Sequence, residues 1–205
     1  MAELAIALAI DLLRSVVLLD ASIRLGAGAE RTNLALLTRV RAENPQAVVI
    51  YKPHPDVEAG LRPGLIPEDR LAGLADVVAR DVGAAELLAQ VDAVWTITST
   101  MGFEALMRGI PVTTLGAPFY AGWGLTRDLG PVPARRQVGA DLAQLVHAAL
   151  IAYPRYFDPR AGLPCPPETA LARLSDPDFA MGGPALRLLA KAQGVLSSYA
   201  WIWRR

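Results

Sequence analysis

Short apolar runs alternate along the chain with segments of helical period. "VVLL" (16–19), "AVVIY" (47–51), "DVVA" (76–79), "AVWTI" (93–97) and "PVTTL" (111–115) read as short buried strands. Between them, residues 31–43, 67–75, 84–90, 101–108 and 141–152 carry apolar positions at helical spacing, with Pro67 in a first turn. Strands and helices alternating at this spacing predict βαβ units. The expected fold is therefore α/β, a Rossmann-like parallel sheet with helices on both faces, over residues 19–152. Residues 1–18 read as an atypical N-terminal segment, an amphipathic helix leading into the first strand. Residues 153–205 read as an extended Pro-rich connection, "YPRYFDPRAGLPCPP", and a C-terminal helix from 184 to 203.

Composition narrows the function classes. A hydrophobic content of 53% can fill a sizeable core, and twenty basic residues balance twenty acidic ones. No whole-molecule field draws the chain to nucleic acid, and its arginines are spread without a basic stripe. Any anion site must be local. The single cysteine, Cys165, excludes an internal disulfide and a Cys-rich zinc site, and His54 and His147 lack the companions of a metal centre or nucleophilic triad. No metal is expected. In the apolar opening segment Glu3, Asp11 and Arg14 interrupt the run, which argues against a membrane span. "SSYAWIWRR" at the C-terminus suits a helix packing its Trp residues more than a membrane-grazing tail.

In an open parallel sheet ligands bind at the carboxyl ends of strands, and two such ends carry chemistry. After Tyr51, Pro53 and Pro55 stiffen a turn that holds Lys52 and His54, a cation and an imidazole able to meet a phosphate or, equally, to cap a loop. After "AVWTI" come Thr98, Ser99 and Thr100, followed at once by a helix containing Gly102 and Glu104. Hydroxyls at a helix start cap it, grip a phosphate, or both. Gly102 would admit a ligand close to the backbone. Glu104 suits the first turn electrostatically and is also placed to accept two ribose hydroxyls.

The stretch "STMGFEALMRGIPV" (99–112) resembles the donor-nucleotide half of GT-B glycosyltransferases. With "DASIRLG" (20–26), "YKPHPDVEAGLRPG" (51–64), "GAPFYAGWGLTRD" (116–128) and "YPRYFDPRAGLPCPP" (153–167), the chain resembles the bacterial capsule polysaccharide biosynthesis and export proteins that are β-Kdo transferases. The resemblance implies a GT-B enzyme that uses CMP-β-Kdo, with no further cofactor, to build a Kdo linker on a lipid acceptor, phosphatidylglycerol. It implies further that this happens in the cytoplasm, peripherally at the inner membrane, and that the capsule chain would be extended and exported on that linker. It implies that His54, Ser99 and Thr100 hold the CMP phosphate, Glu104 the ribose, and Lys52 a further phosphate contact. The loop "PFYAGWG" would close over the donor, with Tyr120 and Trp123 presenting flat faces, or else form an aromatic-anchored turn. Arg62 and Arg127 are candidates for the Kdo carboxylate. A complete module needs a second Rossmann-like domain that binds the acceptor, a lipid-linked glycan, and carries the key carboxylate. The chain is thus expected to be a donor half, complemented by a polypeptide carrying the acceptor domain, and no catalytic residue is assigned on it.

Three rivals stand beside this reading. One is a nucleotide- or partner-binding remnant without transfer activity. Another is a sugar-nucleotide epimerase, which shares the architecture. The third, a nicotinamide-dependent oxidoreductase suggested by "GAGAER" (26–31), lacks the third glycine and the following acid of the dinucleotide fingerprint.

Overall fold

A computed structural model describes residues 15–19, 26–58, 64–80, 82–136, 138–158 and 160–176 of the 205-residue chain. The chain divides into two compact units, Met1–Val146 and His147–Arg205. The helices expected at the N-terminus and at 184–203, and Arg62, lie outside the described residues.

The first unit is built on six strands: β1 Ser15–Leu19, β2 Val48–Lys52, β3 Val77–Val78, β4 Ala93–Thr96, β5 Val112–Thr114 and β6 Arg127–Asp128. Their order is β3-β2-β1-β4-β5-β6, and every pairing is parallel. The connections contain α1 Asn33–Glu43, α2 Pro55–Glu58, α3 Glu68–Leu71, α4 Ala84–Leu88 and α5 Met101–Met107, and α6 Leu142–Val146 ends the unit. The chain steps outward from β1 to β3, returns across the sheet, and steps outward again from β4 to β6. With right-handed crossovers, that reversal puts the helices of the two halves on opposite faces. The expected Rossmann-like sheet is observed.

Alternation along the strands feeds two cores. Val49 and Tyr51 of β2, with Trp95 and, just past β4, Ile97, pack against Leu36, Leu37 and Val40 of α1, and Leu115 joins them. On the other face α5 lies against β4 and β5, burying Phe103, Ala105 and Leu106. Thr32 caps α1, its hydroxyl accepting from the Ala35 amide at 3.1 Å. At the far end of α1, Arg41 donates to the carbonyls of Ala47 (2.9 Å) and Leu74 (3.2 Å) and to Asp76, whose carboxylate also accepts from the Val49 amide at 2.7 Å. One guanidinium thereby ties the helix to the starts of β2 and β3.

Departures from the pattern have local causes. The segment 67–75 forms only the single turn of α3, followed by a turn through Gly73 at φ +75°. Residues 141–152 form α6 and then a π-helical turn, His147–Ala152, in which the Tyr153 amide bonds the Ala148 carbonyl at 3.1 Å. Strand β6 has no apolar signal, because it consists of one arginine and one aspartate held by pairing with Thr113 and Thr114.

In the second unit the Pro-rich segment is more ordered than an extended connection. β7 Tyr156–Asp158 pairs antiparallel with β8 Leu163–Cys165, and α7 Pro167–Leu174 packs on β7. Arg173 of α7 donates from Nη2 (2.8 Å) and Nε to the Asp158 carboxylate. This fork, helped by the Arg160 amide, holds the Asp158 carboxyl down at about 2. Among the described residues no helix is long and apolar enough to cross a membrane.

Two measurements check this architecture. Leu36, fully buried under the sheet, should cost about 2–5 kcal/mol on Leu36→Ala, read as a lower midpoint in urea unfolding. The folded state favours charged Asp158, so its contribution is complete above about pH 4 and is lost as pH falls toward 2. The melting-temperature difference between wild type and Asp158→Asn should accordingly shrink over that interval and go on falling below pH 2, where the folded-state carboxyl itself protonates.

Candidate functional site

The register of the central strand sets the site. Leu19, the last residue of β1, pairs with Lys52 on one side and Thr96 on the other. The loops leaving β2 and β4 therefore start level with each other, and two strand spacings separate them by about 10 Å. The region between them is the carboxyl end of β1, beside the point where the strand order reverses. That is where open α/β sheets bind ligands. The sequence candidates occupy its two rims.

On the β2 rim, Lys52 is buried, and its ammonium lies 3.7 Å from the Glu58 carboxylate. The cation is thus largely committed within its own loop. His54 is half-buried, and its carbonyl accepts from the amides of Val57 (2.8 Å) and Glu58 (3.1 Å), closing the single turn of α2. Buried Pro53 holds the histidine at the sheet edge.

On the β4 rim, the Thr96 hydroxyl accepts from the Ser99 amide at 3.0 Å and the Ser99 hydroxyl from the Met101 amide at 3.3 Å. Thr100 is exposed and makes no side-chain cap bond. Glu104, in the first turn of α5, is 4.0 Å from the Arg108 guanidinium, and the same guanidinium donates to the Glu104 carbonyl at 2.9 Å. Ser99, Thr100 and Glu104 are therefore together, with Lys52 and His54 across the end of β1.

The aromatic-glycine loop lies beside this turn and is joined to it through Tyr120. Tyr120 is wholly buried and does not present its ring to a ligand. Its ring lies 5.2 Å from that of Phe119, nearly perpendicular, and 6.3 Å from that of Phe103, and its hydroxyl donates to the Ser99 carbonyl at 2.5 Å. Burial pushes the phenol's pKa up, which keeps it a neutral donor. Gly102 is occupied accordingly. A Cβ there would stand 2.2 Å from the Tyr120 hydroxyl, so this glycine makes room for a tyrosine and not for a ligand. Trp123 is half-buried, with its ring N–H donating to the Phe119 carbonyl at 2.8 Å.

Arg127 lies on the α1 face of the sheet, its guanidinium 5.5 Å above the centre of the Trp95 ring and 2.9 Å from Glu43. Glu43 and the Trp95 ring engage it there. The stretch "GAGAER" is also accounted for by packing. The Ala117 amide bonds the Gly26 carbonyl (2.7 Å) and the Gly28 amide bonds the Leu115 carbonyl (3.2 Å), so residues 26–28 lie against the segment that follows β5. These glycines allow backbone layers to touch and do not form a dinucleotide cradle.

Two residues that the sequence did not single out hold the aromatic-glycine loop in place. Asp128 accepts from the Thr114 hydroxyl (2.9 Å), the Thr126 hydroxyl (2.6 Å) and the Gly122 amide (2.9 Å). Arg136 donates to the carbonyls of Ala117, Pro118 and Ala121. Only the position of Asp128 beside Thr126 hinted at such a role. Among the described residues no group of three or more His, Cys, Asp or Glu side chains could hold a metal ion.

The parallel, Rossmann-like sheet, with hydroxyls, a histidine and an acid on the strand ends beside its switch point, defines the α/β class of the domain. Comparison with known proteins specifies it. A family model described as capsule polysaccharide biosynthesis protein matches residues 10–156, and the chain belongs to that family. The match takes in residues 10–18 as well. The capsule polysaccharide modification protein LipA of Neisseria meningitidis serogroup A is 49% identical over 151 residues, 74% of this chain and 21% of LipA. The lipopolysaccharide-processing protein LpsZ of Rhizobium meliloti is 47% identical over 137 residues, 67% of this chain and 31% of LpsZ. The chain thus spans about a fifth to a third of these relatives. Among solved structures, the β-Kdo 2,7 transferase of Thermosulfurimonas dismutans KpsC superimposes with a TM-score of 0.69 at 34% identity, over 83% of this chain and 58% of that one. The β-Kdo 2,4 transferase of the same KpsC gives 0.67 at 35% identity, over 80% and 52%.

Removing the Asp128 carboxylate strands two hydroxyls and an amide. Asp128→Ala should lower stability by about 1–3 kcal/mol in chemical denaturation, and Asp128→Asn, which keeps an acceptor, by less.

Proposed function

We propose that the chain is the donor half of a β-Kdo glycosyltransferase of capsule polysaccharide biosynthesis, holding CMP-Kdo over the end of β1. In this reading His54 and the hydroxyls of Ser99 and Thr100 meet the CMP phosphate, Glu104 accepts the ribose hydroxyls, and Lys52 lends positive potential from behind Glu58. As the bond from phosphate to the sugar breaks, negative charge builds on the departing CMP. Donors already aimed at the phosphate favour that state over the bound donor. The acceptor, a lipid-linked glycan, and the catalytic carboxylate belong to a second domain met peripherally at the inner membrane.

The observation that supports the reading is the shared level of Lys52 and Thr96 on either side of Leu19, which starts the His54 loop and the hydroxyl turn at the same end of the sheet. The likeness to the two Kdo transferases of Thermosulfurimonas dismutans supports the choice of donor.

Calorimetric titration of the folded chain with CMP, with UDP and NAD as competitors, tests it. CMP should bind in preference to both, and His54→Ala and Glu104→Ala should each weaken it about tenfold, the scale of one charge-assisted hydrogen bond. A folded chain that ignores CMP, or binds it equally well with both substitutions, overturns the assignment.

A further inference from the structure

The contact between Tyr120 and the turn after β4 joins two motifs that lie about twenty residues apart in sequence. Ser99 is held at every polar atom: its amide by the Thr96 hydroxyl, its own hydroxyl by the Met101 amide, and its carbonyl by both the Gly102 amide (3.2 Å) and the Tyr120 hydroxyl. The tyrosine is itself immobilised. Phe103 and Phe119 pack its ring, Asp128 and Arg136 bind the loop on either side of it, and the space over Gly102 is closed by its hydroxyl and, at 2.8 Å from a notional Cβ, by Cζ.

From this geometry we infer that Tyr120 is a positioning residue for the Ser99–Thr100 turn, and that the aromatic-glycine loop is a fixed wall that sets the turn's shape before a ligand arrives. A loop that closed over the donor would have to carry Tyr120 out of a fully buried position and break its bond to Ser99. A wall does neither. It presents the two hydroxyls in one arrangement, which reduces the ordering that phosphate binding would otherwise require. The inference rests on the donor-site reading only for the identity of the ligand, since the constraint on the turn is independent of it.

Tyr120→Phe keeps the ring and deletes the one bond in question. Two readouts follow on the full chain. Amide hydrogen exchange over residues 98–103 should rise several-fold while the α1 peptides stay unchanged. Affinity for CMP should fall by about fivefold, one hydrogen bond's net worth, while affinity for cytidine, which lacks the phosphate, stays the same. Gly102→Ala strains the same contact from the other side. It should produce the same two changes, with the double variant showing less than their sum. Unchanged exchange at 98–103 in Tyr120→Phe overturns the inference. So does an equal loss of CMP and cytidine binding, which would mark a general packing role. If the wild type binds no CMP, the donor-site reading falls, and exchange alone then decides whether Tyr120 holds the turn.

Discussion

Parallel pairing on both sides of β1 is the constraint from which the rest of the molecule follows. A strand bonded in parallel to two neighbours cannot lie next to them in a hairpin, so each neighbour must arrive by a crossover, and each crossover leaves from the same edge. The loops leaving β2, β4 and β5 therefore converge on one end of the sheet. Residues from three separate stretches of the chain meet there without any contact between them being encoded locally.

Polar contacts add to the apolar packing at that convergence. Asp128 ties the Gly122 amide of the aromatic-glycine loop to the Thr114 and Thr126 hydroxyls, Arg136 bonds the Ala117, Pro118 and Ala121 carbonyls, and the Tyr120 hydroxyl links the loop to the Ser99 carbonyl. Partly buried groups of this kind stabilise modestly when satisfied and cost more when a partner is lost, so each favours one arrangement over its neighbours. The glycines at 26 and 116 contribute by absence. A Cβ on either would stand within 3 Å of the Thr98 methyl, and one on Gly116 would also meet the Gly26 and Ile97 carbonyls, so the layers over the end of β4 could not close.

Much of this was legible in the amino-acid pattern. The buried strands show as β-branched runs because they are covered on both faces, and α1 shows because its apolar positions recur at helical spacing. Ser99, Thr100 and Glu104 could be placed together since they share one turn and its helix. Lys52 and His54 could be placed at a strand end, but not at the level of Thr96, because register between strands depends on backbone partners far away in sequence. Tyr120 and Gly102 show where the reading stopped. Each looked available to a ligand in isolation, and each turned out to fill the other's space.

What the sequence determined by itself is therefore the class of fold, the strand ends that bear chemistry and the family the motifs belong to. All three depend on periodicity and on residues close together in the chain. Only the tertiary structure decided that Arg127 turns to Glu43, that β6 exists at all, and that the Tyr120 hydroxyl is bonded to Ser99. Those outcomes depend on which distant group reaches a polar atom first, and no local pattern of residues carries that information.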